Sequence, residues 1–193
     1  MLFLLTSSWA ALCWLSSWYT PLAERQPKTN CGALDWSTVP RWCLNCCESV
    51  YEAFLSCGVI PPSDAVYETC ALCAGFGGGL GMSGYSCGAL SGAILAVGSK
   101  HGRKHPKEEK PDGLYDVEYR RYNNMVNEFK DAMGSVICRE ICQENLHDWG
   151  GKARKDHCAG CIEHGVEIAC KYYDMTTEEV GEKLVWRDNV ASL

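Results

Sequence analysis

Fourteen of the 193 residues are cysteine. Three pairs have Cys-x-x-Cys spacing: Cys43/Cys46, Cys70/Cys73 and Cys158/Cys161. Another thiol, Cys87, lies in a glycine-rich run between Gly75 and Gly92. That much sulfur exceeds what packing requires. The thiols are therefore cross-linked, bound to metal or used in redox chemistry. Thiolate is soft and anionic, which suits zinc and iron–sulfur clusters. It is also the nucleophile of disulfide exchange.

The context of the pairs narrows the chemistry. A zinc ribbon needs two pairs at short range, and these lie far apart in the chain. On a helix, positions i and i+3 share a face, so each pair also reads as ordinary buried thiols. A thioredoxin-type pair follows a strand, and no strand pattern precedes any of the three. Cys47 follows Cys46, Ala74 follows Cys73 and Ile162 follows Cys161, so the haem-attachment motif with its histidine is absent. Gly79-x-Gly81-x-x-Gly84 matches the dinucleotide fingerprint in letters only. It lacks the preceding strand, and the segment where an acidic residue belongs is basic. His157 beside Cys158 reads as a surface histidine. Asp148, Glu163 and His164 form no acid–base set, and there is no nucleophile elbow or phosphate loop.

Bulk composition excludes other classes. A net charge of −6 argues against nucleic acid as a partner. The one basic run, Lys100-His101-Gly102-Arg103-Lys104-His105, reads as a solvated loop. An apolar share of 47% is enough for a core without cross-links. The cysteine density lies slightly below that of short secreted disulfide scaffolds. We therefore expect reduced thiols and a cytoplasmic location. The alternative is export or membrane association through residues 1–20. That stretch is uncharged and holds Trp9, Trp14 and Trp18. However, no basic residue precedes Arg25, and serines and threonines dilute it. It reads as a poorly structured or loosely docked extension, with membrane contact and an export signal as alternatives.

The elements that must position the thiols are helical. Pro21, Pro27 and Pro40 mark residues 1–42 as extension and linker. Asn45 with Glu48 has the form of an N-cap and its carboxylate three residues on. Val50, Phe54 and Cys57 then recur at helical spacing up to Gly58. Pro61-Pro62-Ser63 predicts a second helix through Cys70 and Cys73. A third is expected from about Ser83 to Val97, with Gly84, Gly88, Gly92 and Ala96 in one smooth stripe. Glycine weakens a helix, so such a stripe marks close approach of another backbone or a cofactor. It serves either as a cofactor bed, a dimer seam or plain helix packing. Asp112 opens a long helix with Tyr115, Tyr119, Tyr122, Val126, Phe129 and Met133 inward, ended by Gly134. Ser135 begins a helix with Cys138 and Cys142. After Gly150-Gly151 comes one with Cys158, Cys161, Ile162, Gly165, Ala169 and Tyr172. Residues 174–193 read as a polar tail with a short helix and a loose end. No segment alternates with period two. The fold class is all-α: a compact bundle of five to six helices around a glycine-rich central one, spanning residues 43–173.

Taken together, Asn45-Cys46 at a helix start, Gly75-Phe76-Gly77-Gly78-Gly79-Leu80-Gly81, Cys87-Gly88-Ala89-Leu90-Ser91-Gly92, Cys138-Arg139-Glu140 and a late Cys158 form a set. The set resembles the redox-active protein family defined by Cys, Cys-Gly-Ala-x-x-Gly, Cys and Cys, over roughly residues 43–173. The same domain type looks like the non-haem part of split-Soret cytochromes, which carry haem and an iron–sulfur site. Only the cluster half of that likeness carries over, because the haem-attachment motif is missing. By the resemblance, Cys46, Cys87, Cys138 and Cys158 are the metal ligands, with Cys47, Cys142 and Cys161 as alternatives one helical step away. It implies an iron–sulfur cluster, [2Fe–2S] for preference, with zinc or no metal as alternatives. Gly84, Gly88 and Gly92 would let such a group lie against backbone. Amides at the helix start beside Cys87 would offset its charge. The expected function is electron transfer or redox sensing with a partner protein. The alternatives are a dithiol–disulfide relay centred on Cys87, or a zinc-stabilised adaptor.

Overall fold

The structure is a computed structural model and describes residues 44–56, 59–60, 70–103 and 114–191. Among the described residues six α-helices follow in order: α1 (Cys46–Ser56), α2 (Gly88–His101), α3 (Leu114–Met133), the single turn α4 (Cys138–Ile141), α5 (Lys152–Asp174) and α6 (Thr177–Lys183). The described residues also form 3-10 turns at Ala71–Phe76 and Gln143–Asp148. No strand occurs among the described residues; the one extended pairing is an antiparallel bridge between Ser86 and Ile137. The all-α expectation stands. The extension 1–42 and the caps proposed at Pro61-Pro62-Ser63 and Asp112 lie outside the described residues.

α1 starts where its cap dictates. Asn45 Oδ1 accepts the amides of Cys47 (2.9 Å) and Glu48 (3.1 Å), and Glu48 returns a carboxylate oxygen to the Asn45 amide at 2.9 Å. These bonds satisfy amides that a helix start leaves unpaired. Val50, Ala53 and Phe54 bury the inner face of α1 against α2. α2 is central, packed between α1 and α5.

The glycines of α2 explain how closely these helices approach. A Cβ on Gly92 would stand 2.6 Å from the Cys47 carbonyl oxygen. A Cβ on Gly88 would strike the Cys46 sulfur and lie 2.9 Å from the Phe76 carbonyl. The stripe is therefore a seam between α2 and α1 of the same chain. The helix begins at Gly88, not near Ser83, so Gly84 stands outside it in the loop, with φ +75°. The cause is the run 77–84, where Gly78, Gly79, Leu80, Gly81, Met82 and Gly84 all have positive φ. Its bonds join distant carbonyls: Gly81 to Gly75 (2.8 Å), Gly84 to Gly78 (3.0 Å) and Tyr85 to Gly79 (3.0 Å). A left-handed coil of this kind cannot extend an α-helix.

Other expectations shift as well. The second helix is, over its described part, only the 3-10 turn Ala71–Phe76. The helix expected from Ser135 is the single turn α4 followed by a 3-10 turn. Lys100 and His101 are not loop residues. They close α2, and both reach the Tyr173 carbonyl at 2.9 Å. On α3, Phe129 is buried as expected but Tyr119 is exposed. The inward face includes Glu118, Arg121, Asn124, Met125 and Asn127, because polar side chains there hold backbone carbonyls. The tail is also held. Asn124 Nδ2 donates to the Val185 carbonyl (2.8 Å), and Asn123 Nδ2 to that of Asp188 (2.8 Å).

Candidate functional site

Six cysteines from four parts of the chain line one cavity of about 20 Å³. Cys46 comes from the first turn of α1, and Cys87 is the residue that caps α2. Cys138 and Cys142 bracket α4, while Cys158 and Cys161 sit one turn apart on α5. Gly78, Ile141, Trp149 and Arg154 complete the wall.

Each thiol is placed by an identifiable local cause. Cys87 ends the extended segment joined to the Cys138 loop: its amide donates to the Val136 carbonyl at 2.8 Å. It stands at the start of α2, where the amides of Ala89 and Leu90 favour its thiolate without making a capping hydrogen bond to it. The Cys46 sulfur accepts the Gly78 amide, which the left-handed coil turns toward it. Cys142 Sγ and Cys158 Sγ lie 3.8 Å apart. Arg154 stands one turn before Cys158 on α5. It donates to Cys158 Sγ (3.7 Å) and to the Trp149 carbonyl (2.7 Å), and its guanidinium lies over the Trp149 ring.

Burial and crowding of sulfurs raise the thiol pKa values. The hydrogen bond with Cys161, then burial, pushes Cys87 up. Burial and the neighbouring Cys87 raise Cys46. Burial, helped by Cys87, takes Cys138 to about 11. Burial and Cys142 take Cys158 to about 11, against the pull of Arg154. Cys142 rises through burial and Cys138. Several anionic sulfurs around one dry point repel one another, so the metal-free cavity is a set of thiols. In that state no group of three or more His, Cys, Asp or Glu among the described residues is drawn into metal-binding geometry.

A model of the family described as "Putative redox-active protein (C_GCAxxG_C_C)" matches residues 44–172. The chain belongs to this family. No curated protein and no solved structure matches it. The matched span of this redox-active family holds all six cavity cysteines and ends two residues before the end of α5. Among the described residues, no helix is long and apolar enough to cross a membrane.

The cavity brings together Cys46, Cys87, Cys138 and Cys158, and also Cys142 and Cys161. Cys47 is not in its wall. It is fully buried and bears on Cys73, whose sulfur, followed by burial, pushes the Cys47 thiol up. Gly84 meets Arg139: its carbonyl accepts the Arg139 amide at 3.0 Å. His157 is exposed, and His164 contacts Glu167 on the same helix. Sequence reasoning missed Gly78, Trp149 and Arg154. An arginine four residues before a cysteine in a helix is the signal that would have found the last.

Proposed function

We propose that the six-cysteine cavity binds an iron–sulfur cluster and that the protein transfers electrons or senses redox state through it. The observation that carries this reading is the convergence of sulfurs from α1, α2, α4 and α5 on one buried point. Four cysteine thiolates suffice for a cluster, and six stand in the wall. When bound, such a cluster supplies a one-electron couple.

The residues divide the remaining work. Cys46, Cys87, Cys138 and Cys158 hold the metal, with Cys142 and Cys161 as adjacent donors. The amides of Ala89 and Leu90 near Cys87, and that of Gly78 near Cys46, temper the negative charge on sulfur, which raises the potential of any bound centre. Arg154 adds a cation to the wall. Ile141 and Trp149 keep water out. The thiols must release their protons on loading, so the protein binds metal more tightly as pH rises.

One observation favours a second reading. A cavity of about 20 Å³ accommodates a single ion-sized body, since about 10–15 Å³ admits one water. A two-iron core needs more room than that; a lone zinc needs less. Anaerobic purification with iron, zinc and acid-labile sulfide analysis decides between them. Brown protein with near-equal iron and sulfide supports the cluster. One tightly held zinc and no visible band selects the structural ion. Colourless protein free of both metals, with thiols that titrate in pairs, would leave a dithiol relay as the reading.

A further inference from the structure

Three thiols outside the cavity form a second arrangement. Cys47 and Cys73 are completely buried, and their thiols bear on one another. Cys70 is half-buried and stands at the turn that begins the 3-10 segment, with the Cys73 amide donating to its carbonyl at 2.8 Å. That turn brings Cys70 beside Cys73 and leaves one of the three sulfurs within reach of solvent. The pieces are tied together: Asn45 caps α1 and also donates to the Ala74 carbonyl at 3.3 Å. None of the three lines the six-cysteine cavity. α1 itself separates the two arrangements, because Cys46 faces one and Cys47 the other.

We propose that Cys70, Cys73 and Cys47 form a thiol–disulfide exchange site that accepts two-electron oxidising equivalents from an external disulfide and stores them as a Cys47–Cys73 bond. Cys70 attacks one sulfur of the incoming disulfide. The incoming S–S bond breaks, and the departing sulfur takes the Cys70 proton. Cys73 then attacks Cys70 Sγ, and the second external thiol leaves with the Cys73 proton. Cys47 finally attacks Cys73 Sγ, and its proton returns Cys70 to the thiol. In sum, Cys47 and Cys73 lose two electrons and two protons, and one disulfide becomes two thiols. The carboxylates of Glu48 and Glu52 bear on Cys70. The site therefore takes a neutral or cationic disulfide in preference to an anionic one.

The test uses the full chain, reduced and freed of reductant, with cystamine as the cationic probe and glutathione disulfide as the anionic one. After acid quenching and alkylation, digestion at glutamate separates Cys47 from Cys70 and Cys73, and mass spectrometry reads the links. The expected product is a Cys47–Cys73 bridge. C70S should slow it at least tenfold, and C73S should trap the cysteamine adduct on Cys70. Cystamine should outpace glutathione disulfide severalfold at low salt, with the gap narrowing at about 0.5 M salt. Cys47 and Cys73 remaining alkylatable after oxidation, or a bridge forming at full speed in C70S, overturns the proposal. Metal content measured on the same samples reports on the cavity separately, so failure here leaves the iron–sulfur reading standing.

Discussion

The Cys138 amide donates to the Tyr85 carbonyl at 2.6 Å, two residues before the point where the Cys87 amide donates to the Val136 carbonyl. Cys87 and Cys138 therefore lie on either side of a single antiparallel bridge, Ser86 with Ile137. Backbone pairing rather than helix packing sets their separation.

Gly79 guards that pairing. Its φ is +72°, and a Cβ there would stand 2.7 Å from both the Cys138 Cβ and the Tyr85 amide nitrogen. Gly81, also left-handed at φ +59°, has nothing within 4 Å of its Cβ position. Gly81→Ala should cost only the backbone strain, about 1–2 kcal/mol. Gly79→Ala should cost more and also lose most of the bound metal. Urea midpoints and metal per chain check both. Equal metal content in the two variants would remove the bridge from the account of the site.

Gly92 tests the seam between α1 and α2. Its Cβ position is 2.6 Å from the Cys47 carbonyl and 3.0 Å from Val50 Cβ. Backbone cannot yield as a flexible side chain does, so Gly92→Ala should destabilise by about 1–3 kcal/mol despite alanine's better helix propensity. Gly98→Ala is the control. Its nearest neighbour would be the Tyr122 hydroxyl at 3.8 Å, so propensity should win and stability should rise by a few tenths up to about 1 kcal/mol. Thermal or urea unfolding of the pair reads the difference in sign.

Cysteine titration gives a pH prediction for the metal-free protein. Burial first, with Cys87 and Cys142 next, holds Cys138 and Cys158 at about 11 against an ordinary 9. Between these values the folded chain keeps protons that the unfolded chain has lost. Stability is full below pH 9 and falls as pH rises from 9 through 11. Urea unfolding between pH 8 and 10.5 should show that decline. Iodoacetamide labelling of Cys158 should still be accelerating at pH 10. Arg154→Gln removes the cation that favours its thiolate and should move that profile further up.

The helices and the convergence of thiols were largely legible in the chain. Asn45 and Glu48 announce the start of α1, and Gly150-Gly151 the break before α5. Four of the six cavity cysteines follow from family resemblance, and Cys142 and Cys161 from helical spacing. Cys47 was misplaced for a physical reason. Adjacent residues on a helix point about 100° apart, so only one of Cys46 and Cys47 can face the cavity, and spacing alone does not say which. The start of α2 was also misjudged. A glycine repeat at period four looks the same in letters whether the backbone is right-handed or left-handed, and Gly84 falls in the left-handed part. Arg121 was invisible because its partners are mostly backbone carbonyls, which no sequence pattern marks.

Arg121 is the strongest stability test. It is fully buried and grips Glu118 with two nitrogens, at 2.7 and 3.1 Å. Its third nitrogen donates to the Tyr172 and Met175 carbonyls at 2.7 and 2.8 Å, tying α3 to the end of α5. Burial works to raise the Glu118 pKa, but Arg121 and the Thr177 hydroxyl outweigh it, and the net shift is downward. Glu118 thus contributes stability above its unfolded value near 4.5 that fades as pH falls below it. Arg121→Met leaves a buried carboxylate and two carbonyls without their cation. We expect a loss of about 3–5 kcal/mol, the range for breaking a buried pair from one side. The double variant Arg121→Met with Glu118→Gln removes the stranded charge and should recover part of that loss. Unfolding from pH 3.5 to 7 distinguishes the two: the acid-side slope due to Glu118 should vanish in the double variant. A single variant as stable as the parent at pH 7 would show that the ion pair is decorative and that helix packing alone holds α3 on α5.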